Sequence, residues 1–182
     1  MKDRPAPPPI TEPKKMKQQA RGRCVSLAVI ALLHGGPMVS SAWAATATYA
    51  NARYGYRVSY PADLLVAEPE SDSGDGRKFH ARRGHAELLA WASENVLEQT
   101  PADLARHSEH ECGGRPASYK IVKPTLVAVS CVSPAGIMFY QKTLIRGGVL
   151  TAIRMTYPAA ERSVWDGVVT QISRSMAAGI GE

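Results

Sequence analysis

The stretch SYKIVKPTLVAVSCVSPAGIMFYQKTLIRGGVLTAIRMTY, residues 118–157, decides the fold of this 182-residue chain. It contains four apolar segments rich in the β-branched and aromatic residues that strands favour, at Ser118–Val122, Leu126–Val132, Ile137–Ile145 and Val149–Tyr157. Short separators that contain proline or glycine lie between consecutive segments. Because connections this short can join only antiparallel neighbours, the stretch predicts an antiparallel sheet.

Further strands are predicted closer to the N-terminus. Apolar and polar side chains alternate over Tyr54–Tyr60, which is the two-residue period of a half-buried strand, and Pro61 ends that strand. Residues 77–82 and 86–91 have the pattern of a hairpin. Residues 68–76, rich in Asp, Ser and Gly, are predicted to form a loop.

Two helices complete the prediction. The first begins at Thr100 as N-cap, with Asp103 as the capping-box acid, and ends near Glu111. The second is marked by an apolar side chain at every fourth position near the C-terminus, with two more beside this stripe: Val164, Val168, Ile172 and Met176, then Trp165 and Val169. The fold class is therefore α+β, with a central antiparallel β-sheet of about six to seven strands flanked by helices.

The formal net charge of +6 is concentrated at the N-terminus. Residues 1–44 hold seven basic and two acidic side chains, whereas residues 45–182 hold 15 and 14. Within the first 44 residues a cationic stretch precedes the apolar run Val25–Leu33, and small residues then lead to Ala44. This order is typical of a secretory signal peptide, so we expect cleavage between Ala44 and Ala45.

The signal peptide divides the chain into an N-terminal extension with signal, 1–44, and a single domain, 45–182. The expected location is periplasmic or secreted, with membrane contact only through the transient signal peptide. An uncleaved anchor and a start at Met16 are the alternatives. Since the mature part is nearly neutral, nucleic acid is not an expected partner.

Three local patterns together resemble the PsbP-like α/β/α sandwich superfamily. They are the opening YGYRVSYP at Tyr54–Pro61, the turn into a strand GDGRKF at Gly74–Phe79, and the closing amphipathic helix. This superfamily includes extrinsic proteins of photosystem II, a eukaryotic Ran-binding relative and many small exported bacterial domains. The resemblance covers about residues 50–177 and implies the sandwich fold and a binding or assembly role. It implies no particular ligand, because the relatives bind very different molecules.

Cys112 and Cys131 are the two cysteines that remain after removal of the signal. In an oxidising compartment such a pair is a candidate disulfide. The turn at Lys123-Pro124-Thr125 would bring the two residues near each other. Two buried free thiols are the alternative.

Two groups of side chains have the chemistry of metal ligands. His107, His110 and Cys112 lie at the predicted end of the first helix, where a transition metal would compete with the disulfide. An acidic loop offers hard oxygen ligands for calcium, from Glu68, Glu70, Asp72 and Asp75. The spacing of these acidic residues does not match the calcium-loop pattern. We expect no metal site in either group and no cofactor.

A third group is basic and follows the predicted hairpin: Arg77, Lys78, His80, Arg82, Arg83 and His85. This group is a candidate for binding a small anion or an anionic glycan. No catalytic motif with a local signature occurs in the chain, and no catalytic residue is predicted. A hydrolase site would need His80 or His85 beside a carboxylate and a nucleophile.

The sequence therefore predicts an exported, non-enzymatic binding or assembly module for an unknown protein or small ligand. A small exported hydrolase and a metal- or anion-binding protein are the alternatives.

Overall fold

Seven antiparallel strands form the central sheet of residues 45–177, the part of the chain that this computed structural model describes. Two further strands form a separate small sheet. The strands are β1 (Thr46–Ala50), β2 (Arg57–Pro61), β3 (Leu65–Glu70), β4 (Gly76–Ala81), β5 (Glu87–Glu94), β6 (Tyr119–Lys123), β7 (Leu126–Val132), β8 (Ile137–Arg146) and β9 (Val149–Pro158). The helices are α1 (Pro101–His110) and α2 (Arg162–Ser175), with a short 3₁₀ turn, Ala159–Glu161, before α2.

The strand order in the central sheet is β3-β4-β5-β9-β8-β7-β6. The two longest strands, β8 and β9, pair over their full length, from Ile137 opposite Pro158 to Arg146 opposite Val149. The predicted α+β class, with an antiparallel sheet of six to seven strands and flanking helices, is confirmed. All four strands predicted in residues 118–157 are present.

The strand predicted over Tyr54–Tyr60 begins only at Arg57 and belongs to the small sheet, where β2 pairs with β1. Its first part is a turn. The Asn51 side chain accepts a hydrogen bond from the Tyr54 backbone N–H at 2.8 Å, and Gly55 takes a left-handed φ of 69°. Tyr54 is half-buried within the turn, and Tyr56 is fully buried between the turn and β2, so the spacing of these tyrosines imitates strand alternation.

The loop predicted over residues 68–76 is shorter than expected, because Glu68, Pro69 and Glu70 belong to β3. This strand lies at the edge of the sheet, with a register irregularity between Ala67 and Glu70. An edge strand tolerates a proline, which cannot donate to a neighbouring strand. The composition of residues 68–70 is typical of a turn, although these residues form the end of an edge strand.

Alternating side chains divide the core into two layers, one on each face of the sheet. On one face Val127, Val129 and Phe139 pack with α1. On the other face Met138, Ile153 and Met155 pack with α2 and with the β1–β2 hairpin. The result is an α/β/α arrangement in which neighbouring residues of one strand serve opposite layers.

Both helices follow local sequence signals. The Thr100 hydroxyl accepts from the Asp103 N–H, the Asp103 carboxylate accepts from the Thr100 N–H, and α1 ends at His110, next to the predicted Glu111. In α2 the predicted apolar stripe is buried, with one exception. Val164 is 52% exposed, because Trp165 occupies the core side of this first turn.

A disulfide joins Cys112 to Cys131, with 5.8 Å between the Cα atoms. Both cysteines are fully buried in the layer that contains α1. Cys112 follows α1 and Cys131 lies in β7, so the bridge ties the C-terminal end of the helix to the sheet. The structure therefore contains the disulfide and not the alternative of two free thiols.

The predicted signal peptide, 1–44, lies outside the described residues, so its cleavage between Ala44 and Ala45 stays a prediction. Within residues 45–177 there is no helix with the length and apolar character needed to cross a membrane.

Reduction of the disulfide should lower the free energy of unfolding by about 3 kcal/mol, since the bridge limits the unfolded chain across a sequence separation of 19 residues. Urea unfolding with and without a reductant measures the difference. As a control, the double variant Cys112→Ala/Cys131→Ala should not respond to the reductant. Equal stability of the oxidised and reduced wild type would contradict the bridge.

Candidate functional site

An open groove of about 610 Å³ lies between α2 and the part of the sheet that α2 leaves uncovered. We call it the α2 groove. From the sheet side it is lined by Ser118, Tyr119, Ser130, Met138, Tyr140 and Tyr157. From the helix side it is lined by Arg162, Asp166, Val169, Thr170, Ser173 and Arg174.

Strand register determines which tyrosines reach the groove. Met138 pairs with Tyr157, and Tyr140 pairs with Met155, so all four side chains point to the α2 face of the sheet. Tyr119 pairs with Ser130 and lies on the same face, one strand beyond β7. Three tyrosines from three different strands are therefore brought to one surface.

At one end of the groove, Asp166 holds two of the lining residues. Its carboxylate accepts a hydrogen bond from the Tyr157 hydroxyl at 2.7 Å and one from Arg162 Nε at 3.2 Å. Because Asp166 and Arg162 are one helical turn apart, α2 itself positions this ion pair. The arrangement leaves the remaining N–H groups of the Arg162 guanidinium for other acceptors.

In the middle of the groove, Ser173 joins the helix to β8. The hydroxyls of Tyr140 and Ser173 are 2.7 Å apart, and Lys142 Nζ donates to the Ser173 backbone carbonyl at 2.7 Å. Lys142 thus binds a backbone carbonyl in the last turn of α2, where the helix dipole favours a positive charge. These two hydrogen bonds connect α2 to β8.

Burial shapes the protonation of these groups. Burial, followed by the hydrogen bond to Asp166, raises the pKa of Tyr157 above its ordinary range. Burial also raises the pKa of Tyr140 and lowers the pKa of Lys142. At neutral pH the two phenols therefore stay protonated, and they serve as hydrogen-bond donors and acceptors.

Arg174 is the third charged residue that lines the groove, after Arg162 and Asp166. It is exposed in the last turn of α2, and among residues 45–177 its side chain has no hydrogen-bond or ion-pair partner. With Arg162 it gives the rim two guanidinium groups against the single carboxylate of Asp166. Guanidinium groups bind carboxylates and phosphates through paired N–H donors. The groove is therefore suited to a ligand with negative charge.

The structure disperses the basic group predicted along the hairpin. Arg77 lies over the Tyr49 ring at 4.9 Å, on the α2 face. Lys78 and His80 lie on the opposite face, paired with Glu87 at 2.8 Å and with Glu68 at 3.2 Å. The remaining members, Arg82, Arg83 and His85, are exposed on the turn that follows. These residues do not form one anion site.

The two predicted metal groups are also separated. The disulfide occupies Cys112, which leaves His107 and His110 exposed at the end of α1. In the acidic group, Glu68 pairs with His80, Glu70 accepts from the Tyr49 hydroxyl, and Asp75 accepts from Ser71 and Ser73. Residues 45–177 contain no cluster of three or more His, Cys, Asp or Glu that could hold a metal ion.

Sequence reasoning missed the α2 groove. Its cationic residues, Arg162 and Arg174, lie in the second helix outside the apolar stripe, and the stripe alone does not mark them as part of a site. Its tyrosines lie in three strands, and their common face depends on the register between those strands. Alternation within one strand shows which residues share a face, but it does not show which strand lies beneath a helix.

Comparisons with known proteins support the fold. No protein-family model matches the chain. No curated protein matches it. Among solved structures, the chain is similar to the solution structure of cyanobacterial PsbP (CyanoP) from Synechocystis sp. PCC 6803, with a TM-score of 0.55 and 11% identity. The match covers 79% of this chain and 98% of that chain, so the PsbP-like fold is shown.

The buried tyrosines should make the protein less stable in alkali. The pKa values of Tyr49, Tyr56, Tyr140 and Tyr157 are all raised from 10.0, mainly by burial. Their contribution to stability is fully present below pH 10 and is lost as the pH rises above it, by about 1.4 kcal/mol per pH unit for each phenol that stays protonated. Urea unfolding over this range measures the slope.

The variant Tyr157→Phe removes one of these phenols and should show a shallower alkaline slope than the wild type. The exposed Tyr119, 47% accessible, provides the matched control for the loss of a phenol hydroxyl as such, through the variant Tyr119→Phe. Identical slopes for the wild type and Tyr157→Phe would contradict the burial of the Tyr157 hydroxyl.

Proposed function

We propose that this PsbP-like domain is an exported, non-enzymatic binding or assembly module whose ligand occupies the α2 groove. One observation carries the proposal: the groove presents two guanidinium groups, protonated phenols and small hydroxyls on a single open surface. These groups recognise a ligand by hydrogen bonds and charge. The ligand class is a protein or a small molecule with acceptor groups.

The protonation states of the two buried tyrosines in the groove favour binding over acid–base or nucleophilic chemistry. Tyr140 and Tyr157 have raised pKa values, so neither phenol offers a base or a nucleophile at neutral pH. The Asp166 carboxylate already accepts hydrogen bonds from the Tyr157 hydroxyl and from Arg162 Nε. The chemistry that remains is donation and acceptance of hydrogen bonds.

Export is the second part of the proposal. A disulfide persists in oxidising compartments such as the periplasm, and the chain carries one between Cys112 and Cys131. The cationic, apolar and small-residue order of residues 1–44 is the layout that the secretory machinery accepts. We infer a periplasmic or secreted protein that contacts the membrane only during export.

Export predicts a defined N-terminus. Intact-mass measurement of the protein recovered from the host's periplasm or medium should give a chain that begins at Ala45. A Lys17→Glu/Arg21→Glu/Arg23→Glu variant, which reverses the charge before the apolar run, should accumulate in the cytoplasm with its N-terminus intact. Recovery of exported protein that retains Met1 or Met16 would contradict the predicted signal peptide.

Binding in the groove predicts a position-dependent crosslink. A photoreactive residue at Thr170, exposed in the groove, should capture a defined molecule in the producing cells. The matched control is Asp72, which is also exposed but lies outside the groove. Capture of the same set of molecules from both positions, or repeated absence of any product at Thr170, would argue against the proposed function.

A further inference from the structure

The strand β6 has a free edge. It is the last strand of the sheet and pairs with β7 on one side, and no strand within residues 45–177 pairs with its other side. An edge strand presents backbone N–H and C=O groups that are available to another extended chain. Four of its five residues are exposed, including Tyr119 and Val122 at 47% and 42%.

This edge opens onto the α2 groove. Ser118, just before β6, and Tyr119, its first residue, line the groove together with Arg162 and Arg174 of α2. The pairing of β6 with β7 places Tyr119, Ile121 and Lys123 on the α2 face of the sheet. A chain added beyond β6 would therefore direct every second side chain to the same side as the two arginines.

The charge at this edge selects the kind of chain that pairs with it. Lys120 and Lys123 belong to β6, and the pair of Lys120 with Glu109, at 2.9 Å, is the one ion pair of this strand among the described residues. Arg174, which has no ion-pair partner within residues 45–177, adds a cation across the groove. Because β6 carries two lysines and no acidic residue, a second copy of this strand is repelled by its charge, whereas an acidic chain is attracted.

We propose that the ligand of the α2 groove is an extended acidic segment of a partner protein, which adds to β6 as a further antiparallel or parallel strand. Its backbone bonds to the free edge, and its alternate carboxylates face the groove, where Arg174 binds them. This inference rests on the proposed function and specifies its ligand. The recognition is a form of β-strand addition, in which main-chain bonds supply affinity and side-chain pockets supply specificity.

A fluorescent peptide of alternating glutamate and valine tests the charge requirement by anisotropy with the full chain. We expect saturable binding, and roughly tenfold weaker binding for the variant Arg174→Glu, since a hydrogen-bonded charge pair contributes about 1.5 kcal/mol or more. Arg83→Glu is the matched control, because Arg83 is exposed on the turn after β4 and lies outside the groove. Both variants keep the basic residues 1–44, so binding to that segment would not distinguish them.

A peptide variant and a small dicarboxylate test the ligand class further. Replacement of every glutamate by glutamine should weaken binding by at least the same factor. Glutarate, a free dicarboxylate, should compete only weakly. If glutarate displaces the peptide at comparable concentration, the site binds a small anion and the proposal is overturned.

Backbone methylation tests the strand pairing. Only alternate N–H groups of an added strand point to β6, so N-methylation of one alternate set should abolish binding and methylation of the other set should not. Equal binding of the two methylated peptides would overturn pairing with the edge.

The failure of this inference is distinguishable from the failure of the proposed function. If Thr170 captures a partner in cells but the acidic peptide does not bind, the ligand class is wrong and the binding role stands. If neither is observed, both fail. Near-ultraviolet circular dichroism should show the same fold for Arg174→Glu and the wild type, because the Arg174 side chain is exposed and unpaired among the described residues.

Discussion

The pairing of β8 with β9 is the constraint on which the rest of the structure depends. The two strands are joined by Gly147 and Gly148, which both take left-handed φ values, 55° and 77°, as a tight hairpin turn requires. This turn sets a register that continues for ten residue pairs. A slip of one residue would exchange the two faces of the strand. Met138 and Tyr140 would then face α1, and Phe139 would face α2.

That register divides the sheet between two helices, and each helix covers only part of its face. The α1 layer is held by the disulfide at its C-terminal end, and at its margin Arg154 lies over the rings of Trp91 and Phe139 and near Glu111. The α2 layer is shared with the β1–β2 hairpin. The sheet beside α2 therefore stays open towards β6, and the groove occupies this space.

The groove and the free edge of β6 have the same origin, because α2 covers only part of its face of the sheet. A third helix beside α2 would bury Tyr119 and the rim arginines, whereas in this fold they are accessible. The polar contacts within the groove, between Tyr157 and Asp166 and between Tyr140 and Ser173, hold its walls in place. Such a prepared surface loses little conformational freedom when a ligand binds. This architecture supports the proposed binding role more directly than a catalytic one.

Local signals along the sequence were sufficient for most of the fold. The capping box at Thr100, the glycine turn at Gly147, and the apolar repeat of α2 each depend on neighbours a few residues away, so the chain reveals them directly. The edge strand β3 was hidden, because Pro69 and its glutamates have loop-like composition. The turn before β2 was hidden by its tyrosines, and the exposure of Val164 by its place in an apolar repeat.

The sequence by itself determined the α+β class, the four-stranded core of residues 118–157, both helices and the two cysteines available for a bridge. Only the tertiary structure decided the site. The tyrosines and arginines of the α2 groove come from β6, β8, β9 and α2, and their meeting depends on strand order and on the placement of a helix. Those choices are made by packing between segments distant in sequence, which no local pattern encodes. The basic hairpin shows the converse, since its neighbouring charges were separated by alternation onto opposite faces.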